Sequence, residues 1–208
     1  MIVSTSLIRR RGDISPAAFQ KHWLDPHGPL TAKLPGARRY DQNHVLADAP
    51  GTNANALRMR IDGFPILAFD SPESRRTAHG SAEMAACNKD SLFFIGAVSR
   101  VISDDGDMQQ PAGTGTAIKQ LLLVPASAEP IDLPSVIARL DGVLGSIFHR
   151  ILEQGAAPNS AVPFIGVEVG ALAELWIRDA RAVAANAAQL EQEAPDVATF
   201  AVRLHKFF

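Results

Sequence analysis

The chain has 208 residues, of which 47% are hydrophobic and 20% are charged, a balance typical of globular proteins with room for one large domain or two smaller ones. Its formal net charge is −2 with both signs mixed along the chain, which excludes the charged blocks typical of proteins that bind nucleic acid or anionic membranes. The single cysteine, Cys87, excludes an intramolecular disulfide and a cysteine-based zinc site. Because we recognise neither a secretory signal nor an apolar run of about 20 residues, we expect a soluble cytoplasmic protein.

The first half of the chain predicts the element order β-α-β-β-α-β. Apolar or β-branched runs predict four strands, at residues 2–8, 38–46, 64–69 and 93–102. Ser15-Pro16 and Ser71-Pro72 are typical helix starts, because serine accepts from the first free N–H groups and proline suits the first helical position. We expect Pro26 to end or kink the first helix, and the second helix to reach Cys87. The polar stretch 48–55 reads as a loop.

The second half predicts the same order after a linker at residues 104–117 that is rich in acidic residues, glycine and threonine. The predicted strands are 119–124, 148–152, 169–177 and 197–207, and the predicted helices are 133–144 and 181–193. Asp70 and Asp179 both mark a strand-to-helix junction, 179 − 70 = 109 residues apart. This offset pairs His149 with Tyr40 and Trp176 with Leu67. We therefore divide the chain into residues 1–103, 104–117 and 118–208.

These elements predict an α+β fold of two tandem ferredoxin-like βαββαβ repeats that close one α/β barrel. A four-stranded sheet of this kind carries helices on one face and leaves the other face uncovered. Two such sheets in one chain bury their open faces against each other. We expect a cavity between the two sheets, and the functional site in that cavity.

A polar row lies on the second predicted strand. Alternate residues of a strand point the same way, so the row consists of Arg38, Tyr40, Gln42 and His44. A row this polar is not expected under a helix, and so it either faces solvent or lines the cavity.

The pattern Phe19-x-x-His22-Trp23-x-x-x-His27-Gly28-Pro29-Leu30, followed by Leu34-Pro35-Gly36-x-x-x-Tyr40-x-Gln42-Asn43-His44, resembles the EthD family of the dimeric α/β-barrel superfamily. The runs Asp62-Gly63-Phe64, Phe69-Asp70-Ser71-Pro72-Glu73 and Asp90-x-x-x-Phe94 extend the resemblance over residues 1–103. The second half has no equivalent of His-Trp-x-x-x-His-Gly and looks like a degenerate copy. At most one site of the family type is therefore expected in each chain.

The resemblance implies a cofactor-independent lyase or isomerase that acts on a small aromatic or lactone-like compound. Relatives include methylmuconolactone isomerases and fungal dehydratases or decarboxylases of aromatic polyketides, which need an apolar pocket and groups that move protons. Histidine suits this work because its pKa is near 6.5. The candidate catalytic residues are His27, His22 and Tyr40, with His27 as the proton shuttle. The candidate substrate-binding residues are Trp23, Gln42, His44, Phe69 and Trp176. The resemblance implies that no cofactor is needed, and no metal is expected, since no carboxylate joins the histidines at helical spacing.

Structural roles remain open for the same residues. For His22, a structural role is favoured. For His27, a functional role and a role in helix capping are equally favoured. Tyr40 also fits a position in the core or in an interface. One alternative function is a non-catalytic small-molecule-binding or accessory protein with the same barrel. Another is a structural oligomerisation module, with Tyr40, Gln42 and His44 in a subunit contact and the space between the sheets packed solid.

Further expectations concern partners and one strand face of the second half. We expect a small-molecule ligand, no nucleic acid and no membrane, and a homodimer formed through exposed sheet edges. The sequence leaves open whether His149, Glu153 and Glu174 face the cavity or solvent. A solvent-exposed face with an ordinary ion pair is favoured.

Overall fold

The computed structural model describes residues 1–104, 117–156 and 161–208. Within these ranges, eight antiparallel strands close a barrel in the order β1-β3-β2-β8-β5-β7-β6-β4, with β4 beside β1. The strands are β1 (Ile2–Arg10), β2 (Ala37–Val45), β3 (Gly63–Phe69), β4 (Ile95–Asp104), β5 (Ile118–Pro125), β6 (Val143–Gly155), β7 (Val169–Ile177) and β8 (Ala198–Lys206). The fold is therefore a mixed α/β fold with an eight-stranded antiparallel barrel, and the body of the expected linker, residues 105–116, lies outside the described residues.

Helices connect the strands on the outside of the barrel. They are α1 (Pro16–His22), α2 (Gly28–Thr31), α3 (Ala54–Met59), α4 (Pro72–His79), α5 (Ala82–Ser91), α6 (Leu133–Ile137) and α7 (Ala180–Glu193). A π-helical turn, Trp23–His27, joins α1 to α2. Both predicted Ser-Pro starts are confirmed, because the hydroxyl of Ser15 accepts from Ala18 N and that of Ser71 accepts from Ser74 N.

The first helix departs from α-helical geometry around Pro26, as predicted: α1 ends at His22, and Pro26 lies in the π-helical turn. Several other predicted boundaries are wrong. The second helix of the first half breaks at Gly80, and Ser81 caps a separate α5. Asn53 caps α3 inside the predicted loop. In the second half, α6 has only five residues, and β6 begins at Val143, where a helix is predicted.

The four strands of each half lie side by side in the same spatial order, namely second, third, first and fourth. The halves meet at two seams, where β2 pairs with β8 and β4 pairs with β6. Each of the eight described strands thus has a partner on both sides. The exposed edges on which we based a homodimer are absent from this set of strands.

The repeat offset of 109 residues is also wrong by one. The helix caps that occupy the same junction are Ser71 and Asp179, which lie 179 − 71 = 108 residues apart. With an offset of 109, Leu67 is paired with Trp176, although Leu67 packs toward the helices and Trp176 lies in the barrel beneath the ammonium of Lys119. A shift of one residue moves every strand side chain to the opposite face.

Side chains occupy the space between the two sheets, where the sequence predicts a cavity. One part is an apolar cluster whose members include Leu7, Phe64, Val101, Leu121, Leu172 and Phe200. The other is a cluster of buried charges, which we call the barrel charge cluster: Arg39, Asp41, Lys119, His149 and Glu174. These contacts join strands of both halves across the barrel.

The carboxylate of Glu174 is the centre of the barrel charge cluster. It accepts from Arg39 Nη2 at 2.6 Å and from His149 Nε2 at 2.9 Å, and Lys119 Nζ lies 2.6 Å away. Glu174 is 0% exposed and His149 is 4% exposed, so the expectation of a solvent-facing ion pair is wrong for both. Glu153, by contrast, is exposed.

Candidate functional site

A cavity of about 120 Å³ lies outside the barrel, between the strands of the first half and the helices that cover them. Its lining includes His27 and Thr31 from the covering helices, Tyr40 and Leu67 from β2 and β3, and Met84 and Cys87 from α5. A cavity of roughly 150 Å³ suffices for benzene. This space is slightly smaller but opens to the surface beside Val162 and Asn88, so it suits a compound about as large as a single ring that extends partly out of it.

His27 stands at this cavity at the end of the π-helical turn, and only 8% of it is exposed. Its Nδ1 donates to Asp90 Oδ2 at 2.9 Å, and its ring meets that of Phe94 edge-on. Burial lowers the pKa of His27, while Asp90 opposes this effect. The imidazole is thus neutral at pH 7, and with Nδ1 protonated, Nε2 is the basic nitrogen. No described residue forms a hydrogen bond with that nitrogen.

His22 shares Asp90 with His27. Its Nε2 lies 3.2 Å from both carboxylate oxygens, and its ring stacks on Phe94 with 4.9 Å between centroids. His22 is half-buried and does not belong to the cavity lining. Its position supports the structural role that the sequence favours: it helps to fix the carboxylate that orients His27.

Tyr40, Gln42 and His44 form one hydrogen-bonded row on the outer face of β2. Gln42 Nε2 donates to Tyr40 Oη at 2.7 Å and to the carbonyl oxygen of Trp23 at 2.7 Å, and His44 Nε2 donates to Gln42 Oε1 at 2.8 Å. The shared face is as predicted, but the row lies beneath the helical segment instead of facing solvent or the space between the sheets. Two hydrogen bonds within the row and one to the carbonyl oxygen of Trp23 satisfy it there, which is why burial is tolerated.

Of this row, only Tyr40 lines the cavity. Burial raises the pKa of Tyr40 to about 12, against the opposing effect of hydrogen bonds from Gln42 and Thr31. The phenol is therefore protonated at neutral pH and can donate to an oxygen of a bound molecule. All three residues of the row are buried within one chain, which contradicts their expected place in a subunit contact.

The remaining predicted binding residues do not line the cavity. Trp23 packs in the core between the helical segment and the sheet and stacks on His44, with ring centroids 4.2 Å apart. Phe69 is buried in the neighbouring core cluster with Tyr40. Trp176 lies in the barrel beside Lys119. Gln42 contacts Tyr40 and His44 contacts Trp23, but neither Gln42 nor His44 borders the space.

Asp90 was not predicted as a site residue, although its carboxylate orients His27 at the cavity. The residue belongs to the Asp90-x-x-x-Phe94 run of the family pattern, which was a signal, but nothing local connects it with a histidine 63 positions away. Cys87 is a small buried residue, with its Sγ 3.6 Å from Thr31 Oγ1. Burial raises the pKa of this thiol, which disfavours the thiolate that a nucleophile needs.

Neither a metal-binding cluster nor a membrane-spanning helix occurs in the described parts of the chain. No group of three or more His, Cys, Asp or Glu side chains there is arranged to hold a metal ion. Among the same residues, no helix has both the length and the apolar character of a membrane span.

Comparison with known proteins agrees with this picture. No curated protein matches the chain in sequence. An anthrone oxidase-like protein of known structure has 9% identity over 99% of this chain and 92% of its own, with a TM-score of 0.59. A putative monooxygenase from Lactobacillus acidophilus NCFM has 7% identity over 98% and 93% of the two chains, with a TM-score of 0.52. At these identities the likeness concerns the fold alone.

The first half has its own matches. An EthD family protein from Bacillus halodurans C-125 is 24% identical over 50% of this chain and 99% of its own, with a TM-score of 0.42. The family model of the EthD domain matches residues 11–97, a range that contains His27, Tyr40 and Asp90. The sequence of residues 11–97 is thus similar to the EthD domain.

Proposed function

We propose that this protein binds a small molecule in the outer cavity and catalyses a cofactor-independent lyase or isomerase reaction by proton transfer. The observation that carries the proposal is the pair of His27 and Asp90: a buried, neutral imidazole borders the cavity and is oriented by a carboxylate. A base held in this way has its tautomer fixed and its conjugate acid stabilised by the carboxylate.

The roles follow from the protonation states. His27 Nε2 removes a proton from carbon, and the electrons of the broken C–H bond move onto a neighbouring carbonyl oxygen. Tyr40 donates a hydrogen bond to that oxygen as its charge develops. The imidazolium of His27, stabilised by Asp90, then returns the proton at the same or another atom. The reaction needs no species beyond the substrate and these side chains.

The cavity dimensions and lining support a small aromatic or lactone-like substrate. Leu34, Leu67 and Met84 provide apolar walls, and the volume matches one ring. Val162 and Asn88, which also border the cavity, are only half-buried, so the space reaches the surface on their side.

Incorporation of solvent deuterium tests the proposal without knowledge of the complete reaction. Wild type and a His27→Gln variant are incubated in D2O with phenols, quinones and muconolactones, and exchange at carbon is followed by proton NMR. We expect exchange in one chemical class and its loss in His27→Gln. His205→Gln, the same change at a histidine outside the lining, is expected to retain exchange. Oxygen uptake is measured in parallel, because two fold neighbours bear oxidase or monooxygenase names.

Two results would contradict the catalytic proposal. One is exchange that continues unchanged in His27→Gln. The other is tight binding of a compound class by wild type with neither exchange nor turnover, which would leave a non-catalytic binding protein with the same barrel.

We further infer that residues 1–103 and 118–208 are tandem ferredoxin-like repeats joined by residues 104–117, the second one degenerate. The common strand order of the halves and the equivalence of the two seams support this inference. A homodimer stays a prediction, and the sedimentation mass of the intact chain tests it.

A further inference from the structure

A second polar feature of the cavity is a buried cation. Arg100 extends from β4, where it pairs with Ser6 of β1, and it lines the cavity with only 7% of its surface exposed. Its Nη1 is buried and donates to no acceptor in the described parts of the chain. No carboxylate of the described residues forms an ion pair with its guanidinium either, in contrast to Arg39 in the barrel charge cluster.

Two more basic side chains, Arg75 and His79, approach Arg100 from α4. They are four residues apart and share one face of that helix. Arg75 Nε and His79 Nε2 are also buried without a hydrogen-bond partner among the described residues. His79 lines the cavity together with Arg100.

The electrostatics of this group indicate a missing negative charge. Burial, and then repulsion by Arg75, lower the pKa of Arg100 to about 10. Burial, and then repulsion by Arg75 and Arg100, lower the pKa of His79 to about 4. Glu153 is the acidic group that acts on both arginines, but it is exposed and forms no ion pair with them. A buried cation without a counter-ion is unfavourable, and a bound anion would relieve it.

We propose that Arg100 is an anion-binding subsite that holds the carboxylate of a small organic acid in the same cavity as His27. The planar guanidinium can accept a carboxylate with two parallel N–H donors, and His79 Nε2–H supplies a further donor. Arg75 adds positive potential. The substrate of the proposed reaction is therefore a carboxylic acid of about one ring, with its carboxylate on Arg100 and its reacting carbon toward His27.

The orientation toward His27 rests on the proposed function, whereas the binding of a carboxylate does not. An inorganic anion has related chemistry, but it would leave the apolar walls at Leu67 and Met84 unused. An organic acid has a carboxylate that can bind Arg100 and an apolar part that can contact Leu67 and Met84.

Titration calorimetry with benzoate, benzamide and inorganic phosphate tests the subsite. Benzamide has nearly the shape of benzoate without its charge. We expect wild type to bind benzoate at least tenfold more tightly than benzamide or phosphate. Arg100→Met is expected to lose this preference with little change for benzamide, and Arg100→Lys to retain part of it. Arg178→Met removes an exposed arginine of the second half and is expected to bind as wild type does.

A measurement on wild type alone covers the case in which the Arg100 variants do not fold. Benzoate is expected to raise the pKa of His79, followed by its imidazole NMR signals, whereas benzamide leaves it unchanged. Absence of benzoate binding, equal affinities for benzoate and benzamide, or equally tight benzoate binding by Arg100→Met would overturn the subsite. Phosphate binding as tight as that of benzoate would overturn the assignment to an organic acid.

The two proposals fail separately. Benzoate has no C–H bond acidic enough for the proposed proton transfer, so its affinity for wild type reports on the subsite alone. Loss of the proton-transfer proposal would therefore leave the benzoate titrations unchanged. If benzoate did not bind, the proton-transfer proposal would still be tested by deuterium exchange at carbon in uncharged compounds.

Discussion

His27 Nδ1 donates to Asp90 Oδ2 at 2.9 Å across 63 positions of sequence. The bond connects the π-helical turn with the last part of α5, so the orientation of the imidazole depends on the packing of two separate helical elements. The same carboxylate also accepts from His22. Asp90 is therefore the residue through which the helices around the cavity fix the basic nitrogen of His27.

Replacement of Asp90 by asparagine is expected to lower the rate of deuterium exchange about 10- to 100-fold with little change in ligand affinity. An amide can present its N–H group to Nδ1, which would favour the tautomer with the proton on Nε2. Exchange rates and calorimetric affinities of Asp90→Asn and wild type check the prediction. Asp141→Asn, at an exposed carboxylate, is the matched control. Equal losses of rate and affinity would instead indicate a collapsed cavity.

Acid is expected to destabilise the fold through His44. Burial lowers the pKa of His44 to about 3, with smaller contributions from His205 and Arg203, whereas the unfolded chain has a histidine pKa near 6.5. The stability that His44 contributes is thus fully present above pH 6.5 and is lost as the pH falls toward 3. The free energy of unfolding should decrease by about 1.4 kcal/mol per pH unit from this residue in that range.

Urea unfolding of wild type and His44→Gln between pH 7.5 and 4.5 measures this contribution. Glutamine does not titrate. The free energy of unfolding of the variant should therefore depend less steeply on pH than that of wild type, by the equivalent of about one bound proton. Identical slopes for the two proteins would show that His44 becomes charged without cost in the folded state.

The barrel charge cluster gives a prediction about stability that is independent of the cavity. Glu174→Gln leaves Asp41 as the remaining carboxylate of the barrel charge cluster beside the buried cations Arg39 and Lys119, which is expected to cost about 3–5 kcal/mol. Adding Lys119→Met to Glu174→Gln should recover part of this loss, because it removes one uncompensated cation. Denaturant unfolding measures both variants. Glu193→Gln breaks an exposed pair with Arg139 and should have little effect. Additive losses in the double variant would contradict the account.

Gly63 is expected to tolerate no side chain. A Cβ there would lie 2.2 Å from Trp23 Cζ3, so Gly63→Ala must displace the indole that packs beneath the π-helical turn. The expected cost is about 1–3 kcal/mol. Gly12→Ala is the matched control, since a Cβ at Gly12 meets nothing within 4 Å, and its thermal unfolding should match that of wild type. Equal unfolding temperatures for Gly63→Ala and Gly12→Ala would show that the indole moves without cost.

Much of the fold could be predicted from local patterns in the sequence. Strand β7 begins and ends at the predicted residues, and both Ser-Pro pairs start helices. The barrel itself follows from two sheets with uncovered faces. Helix lengths could be predicted less well from the sequence. The short α6 is followed by β6, and the first residue of this strand, Val143, is compatible with either a helix or a strand.

The site was predictable in its residues but not in its location. His27 and Tyr40 both border the cavity, yet alternation along β2 specifies only which side chains share a face. It does not specify which face the helices cover. The polar row was expected away from the helices because burial of Gln42 and His44 seemed costly. Hydrogen bonds within the row remove that cost, and they depend on side-chain geometry that no residue pattern displays.

Nitrogen-15 NMR of the His27 ring in the intact protein decides whether this imidazole can be the base of the cavity. We expect a neutral ring at pH 7, with the proton on Nδ1 and an unprotonated Nε2, and a pKa below that of an exposed histidine. Asp90→Asn should shift the proton toward Nε2. An imidazolium at pH 7, or a proton on Nε2 in wild type, would contradict the assignment of His27 as the base of this cavity.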